Sequence, residues 1–147
     1  MLQRALRLLL PGIWLGLILG ISFIEAPLKF QAPDITIPLG LGIGRLVFAA
    51  MNIAEGVIAV ALLLAMWRGR VSRPEWILGI AITVTLASKA LVVRPLMHAT
   101  TDAVIAGTSE GGSGLHYVYI AADVLLVVLL IALITMSARK ILAPATR

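Results

Sequence analysis

The chain contains no cysteine, which excludes disulfides, thiolate metal sites and cysteine nucleophiles. Charge is scarce too. Asp, Glu, Lys and Arg make up 13% of the 147 residues, against about 25% in an ordinary soluble domain. Aromatic residues reach only 5%, and no basic stripe interleaved with aromatics is present, so a nucleic-acid surface is not expected. Apolar residues fill the gap: 61% are hydrophobic and the mean hydropathy is +1.06. A domain of this size cannot hide that much apolar surface from water, but lipid can cover it. Residues 1–147 read as a single domain of the all-α class whose principal partner is a lipid bilayer.

A membrane-crossing helix needs about 20 mainly apolar residues. Four stretches meet that requirement: Leu8 to Ala26, Gly44 to Trp67, Trp76 to Leu96, and Leu115 to Met136. The expected fold is therefore a four-helix transmembrane bundle. Arg4 and Arg7 ahead of the first apolar run imitate a signal peptide. However, Ile24-Glu25-Ala26-Pro27 lacks a small-x-small cleavage pattern, and the run is long enough to span, so it is expected to stay attached. Between the spans, Pro27 to Ile43 holds Pro27, Pro33 and Pro38 and is expected to lie along the bilayer surface. Arg68 to Glu75 is short and basic, with Pro74 placed to start a helix. Met97 to Gly114 ends in Gly107-Thr108-Ser109-Glu110-Gly111-Gly112-Ser113-Gly114, the composition of a flexible linker.

The net charge of +5 and pI near 10.5 come from short basic clusters between apolar runs. Arg4, Arg7, Arg68, Arg70, Arg73, Arg139, Lys140 and Arg147 fall on one side of a four-span chain. Lys29, Arg45, Lys89 and Arg94 fall towards the other. Basic loops stay cytoplasmic, so both termini are expected inside. With short loops and a compact chain, the expected location is a bacterial inner membrane.

The chemistry lies in polar residues within the spans. Helix one carries Ser22, Glu25 and Lys29; helix two Arg45, Asn52 and Glu55; helix three Thr83, Thr85, Ser88, Lys89 and Arg94; helix four His116, Tyr119 and Asp123. An ionised group at the bilayer centre costs at least about 2.5 to 3.5 kcal/mol, so such residues face one another or a wet cavity. Arg45, Asn52 and Glu55 are spaced i, i+7, i+10, on one helix face. Glu25 and Lys29 are i,i+4, and His116 and Asp123 are i,i+7. At about 1.5 Å per residue, Asn52 lies roughly 10 Å and Glu55 roughly 15 Å below Arg45. All belong to the outward half of the spans, while the inward half is nearly pure Leu, Ile, Val and Ala. The expectation is one polar pocket opening outward, in which Glu25, Glu55 and Asp123 balance Arg45, Lys89 and either Lys29 or Arg94. A buried ion-pair network that only fixes helix packing is the competing reading.

His98 and His116 near the outward helix ends could hold a haem, or with Asp102 a metal. No HxxxH or HxxEH spacing exists, so interfacial hydrogen bonding is the simpler role, and the sequence names no cofactor. Trp14, Trp67 and Trp76 read as interfacial anchors. Gly12, Gly16 and Gly20 form a small-xxx-small ladder that lets another helix approach closely, within the bundle or between subunits, with packing within the bundle the favoured expectation.

Two resemblances attach to these residues. Arg45-x6-Asn52-x2-Glu55, preceded by Lys29-Phe30 and a proline-containing loop, resembles the second helix of the membrane-associated eicosanoid and glutathione metabolism proteins over roughly residues 26 to 56. That resemblance implies a four-helix membrane enzyme, usually trimeric, with Arg45, Asn52 and Glu55 on the polar parts of glutathione. Across most of the chain, Trp14-Leu15-Gly16, Pro27, Phe30, Arg94-Pro95-Leu96-Met97 and Leu115-His116 look like the four-helix proteins related to transmembrane protein 205. That likeness implies an integral membrane protein and no particular reaction. Three functions follow as expectations: a protein that binds a small polar or amphipathic ligand or serves as an accessory subunit, a glutathione-transferase-like enzyme acting on lipophilic substrates, or a structural subunit. Assembly as a homo-oligomer or within a larger membrane complex is compatible with each.

Overall fold

The computed structural model describes residues 2–69, 71–109 and 114–142. Arg70 and Arg147 of the basic clusters, and 110–113 of the glycine-rich run, lie outside the described residues. Four long helices account for nearly everything else: α1 Leu2–Gln31, α2 Ile37–Arg68, α3 Arg73–Ile105 and α4 Gly114–Leu142. Each is long and apolar enough to cross a membrane. Among the described residues there is no strand. At 1.5 Å per residue, helices of this length run about 40 to 50 Å, more than the roughly 30 Å hydrocarbon layer, so their ends reach the headgroup level. The helices pack as a closed four-sided bundle: α1 against α2 and α4, and α3 against α2 and α4.

All four helices extend past the stretches that hydropathy marks out. α1 and α3 run through Pro27 and Pro95, which lie at or next to the expected span ends. Pro27 and Pro95 have no N–H to give and would clash with the carbonyl four residues back. The helix answers by widening just before each one, as a π-helical segment at Leu19–Glu25 in α1 and at Lys89–Val93 in α3. Ala26 N–H, immediately before Pro27, reaches the carbonyl of Ile21, and Arg94 N–H, immediately before Pro95, reaches that of Lys89. These i→i−5 bonds let the chain pass each proline without breaking. The stretch expected to lie along the bilayer surface is therefore mostly helix. The connection between α1 and α2 shrinks to residues 32–36, turned at Asp34 with φ 65°. Asp tolerates that region better than most residues. Thr36 then caps α2 by accepting from Leu39 N–H.

The core repeats at helical spacing: Trp14 and Ile18 on α1; Ala59, Leu62 and Met66 on α2; Ile82 and Leu86 on α3; Leu126, Leu130 and Leu133 on α4. The opposite faces are apolar as well, with Ile53, Val57 and Val60 exposed on α2, as a lipid-facing surface requires. Two expectations are corrected. Trp14 is not an interfacial anchor but a fully enclosed core residue at 0% exposure, whereas Trp67 is exposed. The Gly12, Gly16 and Gly20 ladder does not pack within the bundle: a Cβ built at any of the three meets nothing within 4 Å.

Candidate functional site

Lys89, at the start of the widened segment of α3, is fully buried. Its ammonium lies 2.9 Å from Glu55 Oε2 and 2.6 Å from Asp123 Oδ1, with all three side chains essentially inaccessible. Glu55 Oε1 also accepts from Trp14 Nε1 at 2.9 Å. One side chain from each helix thus meets at a single point. The Lys89 ammonium also stands 5.2 Å from the Tyr119 ring centroid, a cation–π distance.

Asn52 extends this centre. Its neighbours require the amide nitrogen to face Glu55 Oε2 at 3.1 Å and the oxygen to face Arg94 Nη1 at 2.8 Å. The Tyr119 hydroxyl lies 3.3 Å from the same amide. Arg94 further donates to the carbonyls of Phe48 and Arg45. Glu25 and Lys29 pair along α1 at 3.4 Å, and Arg45 pairs with Asp102. Four cations (Lys29, Arg45, Lys89, Arg94) therefore stand against four carboxylates (Glu25, Glu55, Asp102, Asp123). A low-dielectric interior demands such pairing of the buried Lys89, Glu55 and Asp123, whereas Arg45 and Asp102 pair at an exposed position.

On the loop side of this centre a cavity of about 490 Å³ opens between all four helices. Phe23 and Phe30 of α1, Leu41 and Phe48 of α2, Met97 of α3, and Ile120 of α4 are among its apolar lining. Of the nine sequence-derived candidates, Lys29, Arg45, Arg94, His116 and Asp123 line it. Asn52, Glu55 and Lys89 sit in the network behind the wall, and Glu25 touches Lys29 from the side. His98 and His116 both reach the cavity. Among the described residues, no three His, Asp or Glu side chains gather as metal ligands. Thr83 and Thr85 take no part, because their hydroxyls donate to the carbonyls of Gly79 and Ala81 in their own helix.

Sequence reasoning missed Trp14, Tyr119's place in the network, and a second polar cluster at the opposite end of the bundle. There Glu75 is buried. One of its oxygens accepts from Ser72 N–H at 2.9 Å, from Ser72 Oγ at 2.7 Å and from Lys140 Nζ. The other lies 3.5 Å from Ser137 Oγ and 3.8 Å from Arg7 Nη1. A buried carboxylate thus lies at the edge of the half expected to be nearly pure Leu, Ile, Val and Ala. A Ser-x-x-Glu capping box at the start of α3 was the available signal, overlooked because Glu75 reads as part of a basic loop. Compared with known proteins, the chain matches no family model, no curated protein and no solved structure.

Proposed function

We propose that this chain is a multi-pass membrane protein that binds a small amphipathic ligand in the cavity between its four helices. The carrying observation is the cavity itself. Its volume of about 490 Å³ falls in the range of roughly 300 to 1,000 Å³ typical of ligand pockets. An apolar, aromatic wall meets a few converging polar side chains from every helix. The basic-residue pattern supports N-in/C-in insertion, with the cavity facing the outer side of a bacterial inner membrane. Behind the wall, the Lys89 centre acts as a rigid floor that holds Asp123 and, through Asn52, Arg94.

The enzyme reading has less support. Of the three residues that the glutathione resemblance assigns to substrate, only Arg45 lies on the wall, whereas Asn52 and Glu55 are occupied by Arg94, Lys89 and Trp14.

Native mass spectrometry of protein released gently from its own membrane tests the proposal. The wild-type chain is expected to carry a low-mass adduct. A cavity-filled variant, Leu41→Trp with Ile120→Phe, should lose it while its melting midpoint holds. An adduct that persists undiminished in the filled variant, or a wild-type chain bound only to another protein, overturns the ligand reading. The second outcome makes the chain a structural subunit.

A further inference from the structure

The proposed function leaves the ligand's headgroup open, and Lys29 narrows it. Its side chain is only 10% exposed, and its single carboxylate contact among the described residues, to Glu25, is 3.4 Å long. Charge-assisted hydrogen bonds run about 2.7 to 2.9 Å, as the contact from Lys89 to Glu55 does at 2.9 Å. An ammonium has three donors and no acceptor. Two aromatic faces also stand near Lys29 Nζ, Phe48 at 5.5 Å and Phe30 at 5.7 Å from the ring centroids. These attract a cation but leave its N–H donors free.

The placement is built rather than incidental. A lysine near a helix end normally stretches towards the headgroups. Here α2 omits side chains at two positions one turn apart to take Lys29 and its neighbour inward. A Cβ at Gly44 would stand 2.9 Å from Lys29 Nζ, and one at Gly40 would run into the Phe30 ring. Arg94, on the same wall, spends its donors on two carbonyls and the Asn52 amide, all neutral acceptors. Asp123 is held by Lys89, and Arg45 by Asp102. The wall thus offers one cation bonded to neutral acceptors alone, Arg94, and a second, Lys29, whose contact with Glu25 is long, beside aromatic and aliphatic surface.

From this geometry we infer that the cavity takes an amphiphile with an anionic head, a carboxylate or phosphate on an apolar tail, and that Lys29 is the counter-ion of that head. The inference rests on the cavity being a ligand site. A cationic ligand would face repulsion from Lys29 and Arg94, and a neutral one would leave the ammonium as poorly paired as before. On binding, Lys29 exchanges its long contact with Glu25 for a short one to the ligand.

The test uses purified full-length protein in detergent, titrated calorimetrically with decanoate and decyl phosphate. Decanol serves as the neutral tail, and acetate and inorganic phosphate as heads without a tail. Wild-type protein should prefer at least one of the two anionic amphiphiles to decanol by about tenfold, the scale of one charge-assisted hydrogen bond. Which of the two binds tighter tells a carboxylate from a phosphate head. Lys29→Met should erase the preference for the anionic heads over decanol, and Lys29→Arg should keep it. Glu25→Gln, which removes the competitor but not the cation, should tighten anionic binding several-fold. Equal binding of decanol and both anionic amphiphiles by the wild type overturns the headgroup assignment while the cavity reading stands. So does a Glu25→Gln variant that binds them more weakly. Tail-free anions that bind as tightly as the amphiphiles, or no binding by any probe, overturn both.

Discussion

At the scale of single residues, the decisive feature is one ammonium set between two carboxylates where no water reaches. Breaking a buried ion pair from one side costs about 3 to 5 kcal/mol, because the remaining charge is left uncompensated. Lys89→Met is therefore expected to lower the thermal unfolding midpoint in detergent severely, since it strands Glu55 and Asp123 together. The triple variant Glu55→Gln/Lys89→Met/Asp123→Asn removes the charges along with the ammonium and should recover most of the loss. A triple variant less stable than Lys89→Met alone would show that shape, not charge balance, dominates at this point. That Glu55, Lys89 and Asp123 belong together was legible in the sequence, because ionisable residues in apolar runs have few places to go. Their partition into cavity wall and hidden floor was not. Arg45, Asn52 and Glu55 share a helix face, but helical phase says nothing about depth from a cavity. Arg45 finds its carboxylate on Asp102 of α3, a contact between residues far apart in sequence. Trp14 was misread for a related reason: position near the end of an apolar run suggests an anchor, and only packing reveals that its indole N–H is needed by Glu55.

At the scale of elements, the spans were legible and their ends were not. Proline in water usually marks a boundary, because a broken backbone can turn to solvent. In lipid an open backbone is too costly, so the helix widens and continues. Pro27 and Pro95 show this twice, each directly after the last i→i−5 donor of a π-helical segment. The one in α3 begins at Lys89 itself, so the distortion that accommodates the proline lies where the buried ammonium must leave its helix. The other end of the bundle depends on Glu75, which ties the start of α3 to α1 and α4. Glu75→Gln keeps the shape but replaces a charged acceptor of several bonds, each worth roughly 1.5 to 3 kcal/mol. Lys140 is half exposed, and such a pair is worth at most about 1 kcal/mol. Thermal unfolding should therefore show Glu75→Gln as clearly more destabilising than Lys140→Met. Equal effects would mean that Glu75 serves only as the partner of Lys140, without the cap at Ser72.

At the scale of the whole molecule, the balanced interior and the unbalanced ends do different work. The four cations and four carboxylates around the Lys89 centre and the cavity cancel, so the net +5 of the chain comes from its other charged residues, whose basic clusters can set orientation. An even number of spans puts both termini on one side, and the basic clusters at Arg4 and Arg7, at Arg68 and Arg73, and at Arg139 and Lys140 support the proposal that this side is the cytoplasm. The absence of cysteine gives a clean measurement, because any introduced thiol is the only one present. Ala5→Cys lies near the start of α1, and Ser109→Cys in the connection after α3; both positions are exposed. In intact cells a membrane-impermeant maleimide should label Ser109→Cys and spare Ala5→Cys until the membrane is opened. The reverse pattern would turn the cavity towards the cytoplasm, and the anionic amphiphile it is inferred to take would then have to come from the inner leaflet. Labelling of both in intact cells would contradict an even number of crossings, and with it the arrangement that gathers Lys29, Arg94 and Asp123 at one end of the bundle.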